Sequence, residues 1–172
     1  VGGLLLCQAL PLPAGAQQAT YGIAAPLTGP VAPLGKQLRE GAWLGLSSLS
    51  TATAYLADDR CEADGGERAA HQFVERKVSI VIGFLCTEAV EAALPILTEA
   101  GIPVLSPGVR TDSLTRNREK TGYLFFRNAP RTGHEATAAA NVVASRWRDA
   151  LFAIVDDGTI YGRELAEAVR FS

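Results

Sequence analysis

Cys86 and Thr87 stand side by side where an apolar run, VSIVIGFL, meets the helix-like pattern EAVEAALPILTEA. A hydroxyl followed by an acid at a helix start is N-cap chemistry, with Thr87 as the cap and Glu88 favoured by the helix dipole. Free N–H groups at such a start also attract carboxylates. Cys61 lies 25 positions before Cys86, and an even pair in an oxidising compartment reads as a disulfide. Closing a loop of that size stabilises by roughly 3–4 kcal/mol. The two histidines, His71 and His134, carry no motif around them. They assemble neither a zinc set nor a nucleophile–base pair. The acidic pairs Asp58/Asp59 and Asp156/Asp157 each close an apolar run, where solvated turns and caps are the ordinary reading. Residues 29–36 occupy the place of a phosphate loop, but the glycines are one residue too far apart. Two prolines remove donors there, and Gln37 replaces the magnesium-binding hydroxyl. No cofactor, metal or enzymatic activity is expected.

The elements that must hold these residues alternate. Apolar runs at 20–25, 54–57, 78–82, 102–105, 123–127 and 151–155 read as strands. Helical patterns at 35–49, 65–76, 87–100, 134–147 and 162–169 lie between or after them. Leu38, Ala42, Leu46 and Leu49 form the expected buried stripe of the first helix. Pro95 should kink the third, and Gly101 should end it. Repeated βαβ units predict an α/β fold, a parallel sheet with helices on both faces. Ligands of such sheets bind beyond the carboxyl ends of the strands. The loops at 26–34, 58–61, 84–87, 106–112 and 156–161 are therefore the candidate site.

Composition narrows the class further. The 172 residues are 48% hydrophobic and 20% charged with net charge −2, so one sizeable core is affordable and no basic stripe suggests nucleic acid. Residues 2–12 are uncharged, mostly apolar and too short to span a bilayer. Ala14-Gly15-Ala16 follows with a small-x-small cleavage pattern, so residues 1–16 are expected to be a signal peptide and the mature protein periplasmic. Lipid anchoring at Cys7 is the alternative, opposed by the bulk of Leu6.

Five stretches in order, GIAAPLTGPVAPLGKQLREGA, ADDRC, VIGFLCTEA, AGIPVLSPGVRTDSLT and AIVDDGTIYGRELA, resemble periplasmic binding proteins of the leucine/isoleucine/valine type. These are substrate-binding subunits of branched-chain amino-acid ABC importers. The resemblance implies two α/β lobes joined by a hinge, with residues 17–130 as lobe one and 131–172 as the incomplete start of lobe two. It implies a Cys61–Cys86 disulfide and an amino acid or similar small carboxylate held in the cleft, then passed to a membrane permease. A ligand-sensing receptor or regulatory subunit of the same fold is the alternative. Thr87 matches the residue that binds the ligand's main-chain groups. Gly108 matches a carbonyl that receives its ammonium, and Tyr161 an aromatic wall of lobe two. Leu34 stands where a tyrosine often packs. Arg110 stands where a small hydroxyl is usual, with Thr111 adjacent. That arginine could hold a second ligand carboxylate, or pair with Asp112 or Asp157 instead.

Overall fold

The computed structural model describes residues 19–49 and 52–171. The expected signal peptide, its cleavage site and Cys7 lie outside the described residues. The first five strands alternate with helices: β1 (Thr20–Ala25), α1 (Ala32–Ser47), β2 (Thr53–Asp58), α2 (Ala63–Glu75), β3 (Ile80–Gly83), α3 (Thr87–Glu99) and β4 (Val104–Ser106). Two single-turn helices, α4 (Ser113–Arg116) and α5 (Arg118–Thr121), precede β5 (Phe125–Arg127), and α6 (Thr132–Arg146) and α7 (Ile160–Arg170) follow. The strands form one parallel sheet in the order β2-β1-β3-β4-β5. The predicted α/β class and parallel sheet are thus present.

The period of two along each strand sorts side chains to two faces. Register aligns Tyr55, Gly22, Val81, Val104 and Phe125 in one row across all five strands. Val81, Val104 and Phe125 are fully buried there beneath α2 and α3, whose Ala70, Phe73, Val90, Ala93, Leu94 and Leu97 complete the core. Gly66 lets the two helices meet: a Cβ there would fall 1.9 Å from the Ala89 carbonyl oxygen. Gly83 is required in the same way, with φ +142° and a Cβ that would sit 2.0 Å from the Ala24 carbonyl oxygen.

The opposite row is Leu56, Ile23, Ile82, Leu105 and Phe126. Helix α1 packs over β1 and β3 on this face and buries Ile23 completely. Leu105 remains 36% and Phe126 47% exposed. The expected α1 stripe is correspondingly incomplete. Leu46 is buried and Leu38 and Ala42 are half-buried, but Leu49 is exposed beyond the end of the helix.

Helix α3 stays continuous through Pro95. The acceptor that loses its donor there is the Glu91 carbonyl, and both Glu91 and Pro95 lie on the exposed face, where water can substitute. Its end follows the expected pattern. Gly101 has φ +71° and its N–H donates to Thr98, while the Ile102 N–H reaches back to Leu97, a Schellman closure.

One expected element does not form. Residues 151–155 are not a buried strand; Leu151, Phe152, Ile154 and Val155 are all exposed. A parallel strand needs a neighbouring ladder to satisfy its backbone. Around this segment only α6 and α7 pack together, and the sheet lies elsewhere. Limited proteolysis with a broad-specificity protease should therefore make its first cut within residues 151–158. A first cut inside residues 80–106 would contradict this arrangement.

Candidate functional site

The carboxyl ends of β1, β2, β3 and β4 carry the polar loops, and hydrogen bonds lock each loop to its neighbour. Asp58, last residue of β2, accepts from the Leu27 N–H at 2.8 Å, the Thr28 hydroxyl at 2.6 Å and the Arg60 N–H at 3.0 Å. Partial burial works against its ionisation, but these donors outweigh it and hold the carboxyl below its ordinary range. Arg60 and Cys61 follow with φ +51° and +58°, and this left-handed pair aims Cys61 at Cys86. The two are bonded, with Cα atoms 5.1 Å apart. Asp59 supports that turn by accepting the Cys61 N–H at 3.0 Å through Oδ1.

Thr87 does not cap α3. The cap position is Cys86, in extended conformation, and Thr87 is the first helical residue. Its hydroxyl lies 2.5 Å from that of Thr111, with both side chains buried. The bond joins the β3 loop to the β4 loop and explains why the hydroxyl is unavailable for capping. Ser106 binds the same two loops, donating to the Phe84 carbonyl at 2.9 Å and accepting the Val109 N–H at 3.0 Å. Arg127 then fixes Thr111 from behind, donating to its carbonyl at 2.8 Å and to the Thr115 hydroxyl.

Arg110 turns away from this pair and meets neither Asp112 nor Asp157. Its Nη1 donates to Glu135 Oε1 on α6 at 2.6 Å. Glu135 Oε2 accepts the Tyr161 hydroxyl at 2.9 Å at the start of α7. Two further carboxylates link the same parts of the chain. Glu88 accepts the Ile160 N–H at 2.9 Å, and Glu164 accepts the Asp112 N–H at 2.7 Å. Helix α7 therefore lies over the β3 and β4 loops. Thr159 caps α7, accepting the Gly162 N–H at 2.9 Å, and Asp157 holds Thr159 through its N–H and hydroxyl. The Asp156/Asp157 pair is thus turn and cap chemistry.

A groove of about 730 Å³ opens along α1. Leu34, Gly108, Arg110 and Asn128 line it at the loop end, and Ile82 and Leu105 line it where the sheet face is uncovered. Gly108, Arg110 and Leu34 thus share this groove, whereas Thr87 and Tyr161 do not line it: Tyr161 is linked to Arg110 through Glu135, and Thr87 pairs with Thr111. Sequence reasoning offered Thr111, by a local shift, as the small hydroxyl in place of Arg110, and missed Glu135 and Glu164. Their partners stand 25 and 52 positions away, which no local pattern reveals. Among the described residues, no group of three His, Cys, Asp or Glu side chains could hold a metal ion. Among them also, no helix is long and apolar enough to cross a membrane.

A five-stranded parallel sheet, helices on both faces and polar loops gathered at the strand ends define an α/β fold of the periplasmic-binding type. Residues 19–172 match the family described as "Periplasmic binding protein", and the chain belongs to that family. It is 31% identical over 160 residues to the Leu/Ile/Val-binding protein homolog 3 of Brucella melitensis, covering 88% of this chain and 42% of that protein. The chain thus spans well under half the length of that relative, which is named as a binding protein and not as an enzyme. Among solved structures, the branched-chain amino-acid binding protein LivJ of Streptococcus pneumoniae, in complex with isoleucine, superposes with a TM-score of 0.78. It is 21% identical, over 91% of this chain and 47% of that one. A solute-binding protein of R. palustris in complex with 4-hydroxybenzoate gives a TM-score of 0.73 at 20% identity, over 89% and 42% of the two chains.

Two measurements probe this geometry. Replacing either Thr87 or Thr111 by Val leaves the other hydroxyl buried without its partner, at a cost of about 1–3 kcal/mol. The double variant should lose less than the sum of the singles in urea unfolding; strict additivity would mean that the two hydroxyls do not interact. Asp59 is fully buried and its Oδ2 has no hydrogen-bond partner. Burial pushes its pKa up from 3.8 to about 6, against the Cys61 N–H and with a small push from Asp58. Folding therefore favours the neutral acid: its contribution is full below pH 3.8 and is lost as pH rises through about 6. Relative to Asp59→Asn, the wild type should lose about 3 kcal/mol between roughly pH 4 and pH 7. Parallel pH–stability curves for the two proteins would refute an uncompensated carboxyl at this turn.

Proposed function

We propose that the protein is the periplasmic solute-binding component of an ABC importer. It takes a small carboxylate, an amino acid of the branched-chain kind or a relative, and delivers it to a membrane permease. Residues 17–130 form lobe one, residues 131–172 begin lobe two, and residues 1–16 are the leader that directs export. The observation that carries the reading is the Thr87/Thr111 hydroxyl pair at the N-terminus of α3, in a chain of the binding-protein family. Hydroxyls and free helix N–H groups together suit a carboxylate. Isoleucine and 4-hydroxybenzoate, the ligands of two structural neighbours, both present one carboxylate. Gly108 supplies the carbonyl for an ammonium, and Tyr161 and Leu34 supply apolar surface to the ligand.

With α7 lying over the β3 and β4 loops, the hydroxyl pair is covered, so uptake requires a hinge opening about residues 127–130. A ligand present at 100 times its Kd raises stability by about 2.7 kcal/mol, which a thermal-shift screen reads easily. We expect one or more amino acids or hydroxybenzoates to raise the midpoint of the full-length protein by several degrees. Thr87→Ala should weaken that ligand at least tenfold, about 1.4 kcal/mol. If no small carboxylate moves the midpoint, the importer reading fails.

A further inference from the structure

Arg110 is the cation in the wall shared by Gly108 and Leu34. A guanidinium at such a place ordinarily receives a carboxylate, and here the carboxylate comes from the protein. We propose that Glu135 sets the charge class of the ligand: by occupying Arg110 it reserves the cleft for molecules with one carboxylate and excludes those with two. The inference rests on the binding-protein reading above and adds a specificity-determining residue to it.

Three observations support it. First, Glu135 is held from two sides, by Arg110 at 2.6 Å and by the Tyr161 hydroxyl at 2.9 Å. A second ligand carboxylate would have to displace Glu135 and leave both its charge and the phenol unpaired. Second, two neighbouring arginines, Arg127 and Arg131, are also engaged. Arg127 donates to the Thr111 carbonyl and the Thr115 hydroxyl, and Arg131 lies 3.7 Å from Asp112. Third, Glu88 and Glu164 tie α7 to the β3 and β4 loops beside Arg110 through the backbone N–H groups of Ile160 and Asp112 rather than through cations. Their charge opposes a second anion. The Arg110–Glu135 pair is partly exposed, with side-chain exposures of 43% and 24%, so it adds little to stability. Its consequence is to remove one available cation from the binding wall.

The test uses Glu135→Gln in the full-length protein, which keeps the shape and an acceptor for Tyr161 but removes the charge. Two ligand pairs differ by one carboxylate each: L-leucine with L-glutamate, and 4-hydroxybenzoate with terephthalate. Calorimetry on the wild type should favour the monocarboxylate of at least one pair by about 100-fold, or 2.7 kcal/mol. In Glu135→Gln that gap should narrow at least tenfold, and in the Arg110→Gln/Glu135→Gln double variant it should reopen. An unchanged gap in Glu135→Gln overturns the proposal, as does a wild type that prefers either dicarboxylate.

A ligand-free readout separates the network from the transport reading. Burial and the Glu135 hydrogen bond raise the Tyr161 pKa above its ordinary value, against the Arg110 charge. Ultraviolet titration, with Tyr161→Phe as the blank, should show a lower midpoint in Glu135→Gln. An unmoved midpoint overturns the network itself. If the wild type binds no monocarboxylate, the importer reading fails by that result alone. The present proposal then falls as well if Glu135→Gln also binds no dicarboxylate.

Discussion

Helix α3 is sealed between α2 and the sheet, with Ala89, Val90, Ala93, Leu94 and Leu97 at zero exposure, and this burial fixes where its N-terminus can be. Each large side chain so buried contributes about 1.5–3 kcal/mol, so the helix cannot slide or rotate without losing much of the core. Cys86, Thr87 and Glu88 are therefore presented at one place, above the ends of β3 and β4. The disulfide and the Thr87–Thr111 bond extend that rigidity to the loops on either side. The contacts of Gly66 and Gly83 belong to the same constraint, because any side chain there would lift α2 or part β3 from β1.

The two faces of the sheet differ, and that difference accounts for what was and was not legible in the sequence. The strands of 20–25 and 54–57, the helices that follow them and the Gly101 stop rest on local periodicity and turn chemistry, and they appear within a few residues of expectation. The strand expected at 151–155 has the right composition and lacks a ladder to join, which is a property of its surroundings and not of its residues. Leu49 likewise has the right spacing, but α1 covers only part of its sheet face and ends before that residue can be buried. Hydrophobic pattern reports what a segment can bury, not whether a partner is there to bury it.

The site was legible in its positions more than in its bonds. Thr87, Gly108 and Arg110 do fall in the loops after β3 and β4, as the alternating pattern of strands and helices predicts. The role of each polar atom was hidden, because it depends on partners far away in sequence. Thr87 has the residue type of an N-cap, yet a hydroxyl 24 positions later takes its side chain. Arg110 has Asp112 two positions away in sequence, yet Glu135, 25 positions away, is the carboxylate that reaches it in space.

A consequence follows for how the cleft closes. Thr132 at the start of α6 donates its N–H and hydroxyl to the Arg110 carbonyl, and three further links between α6 or α7 and the β3 and β4 loops are made by carboxylates: Glu88, Glu135 and Glu164. Two accept backbone N–H groups, one at the N-terminus of α7, where the helix dipole favours a negative charge. Such bonds hold two parts together without apolar burial, and water can replace each of them when the parts separate. Closure held this way stays shallow in energy, because partly exposed ion pairs contribute at most about 1 kcal/mol each. In the binding-protein reading proposed above, a hinge that opens and shuts on a small ligand needs that balance, and a large apolar interface at the same place would hold the two parts shut whether or not a ligand was bound.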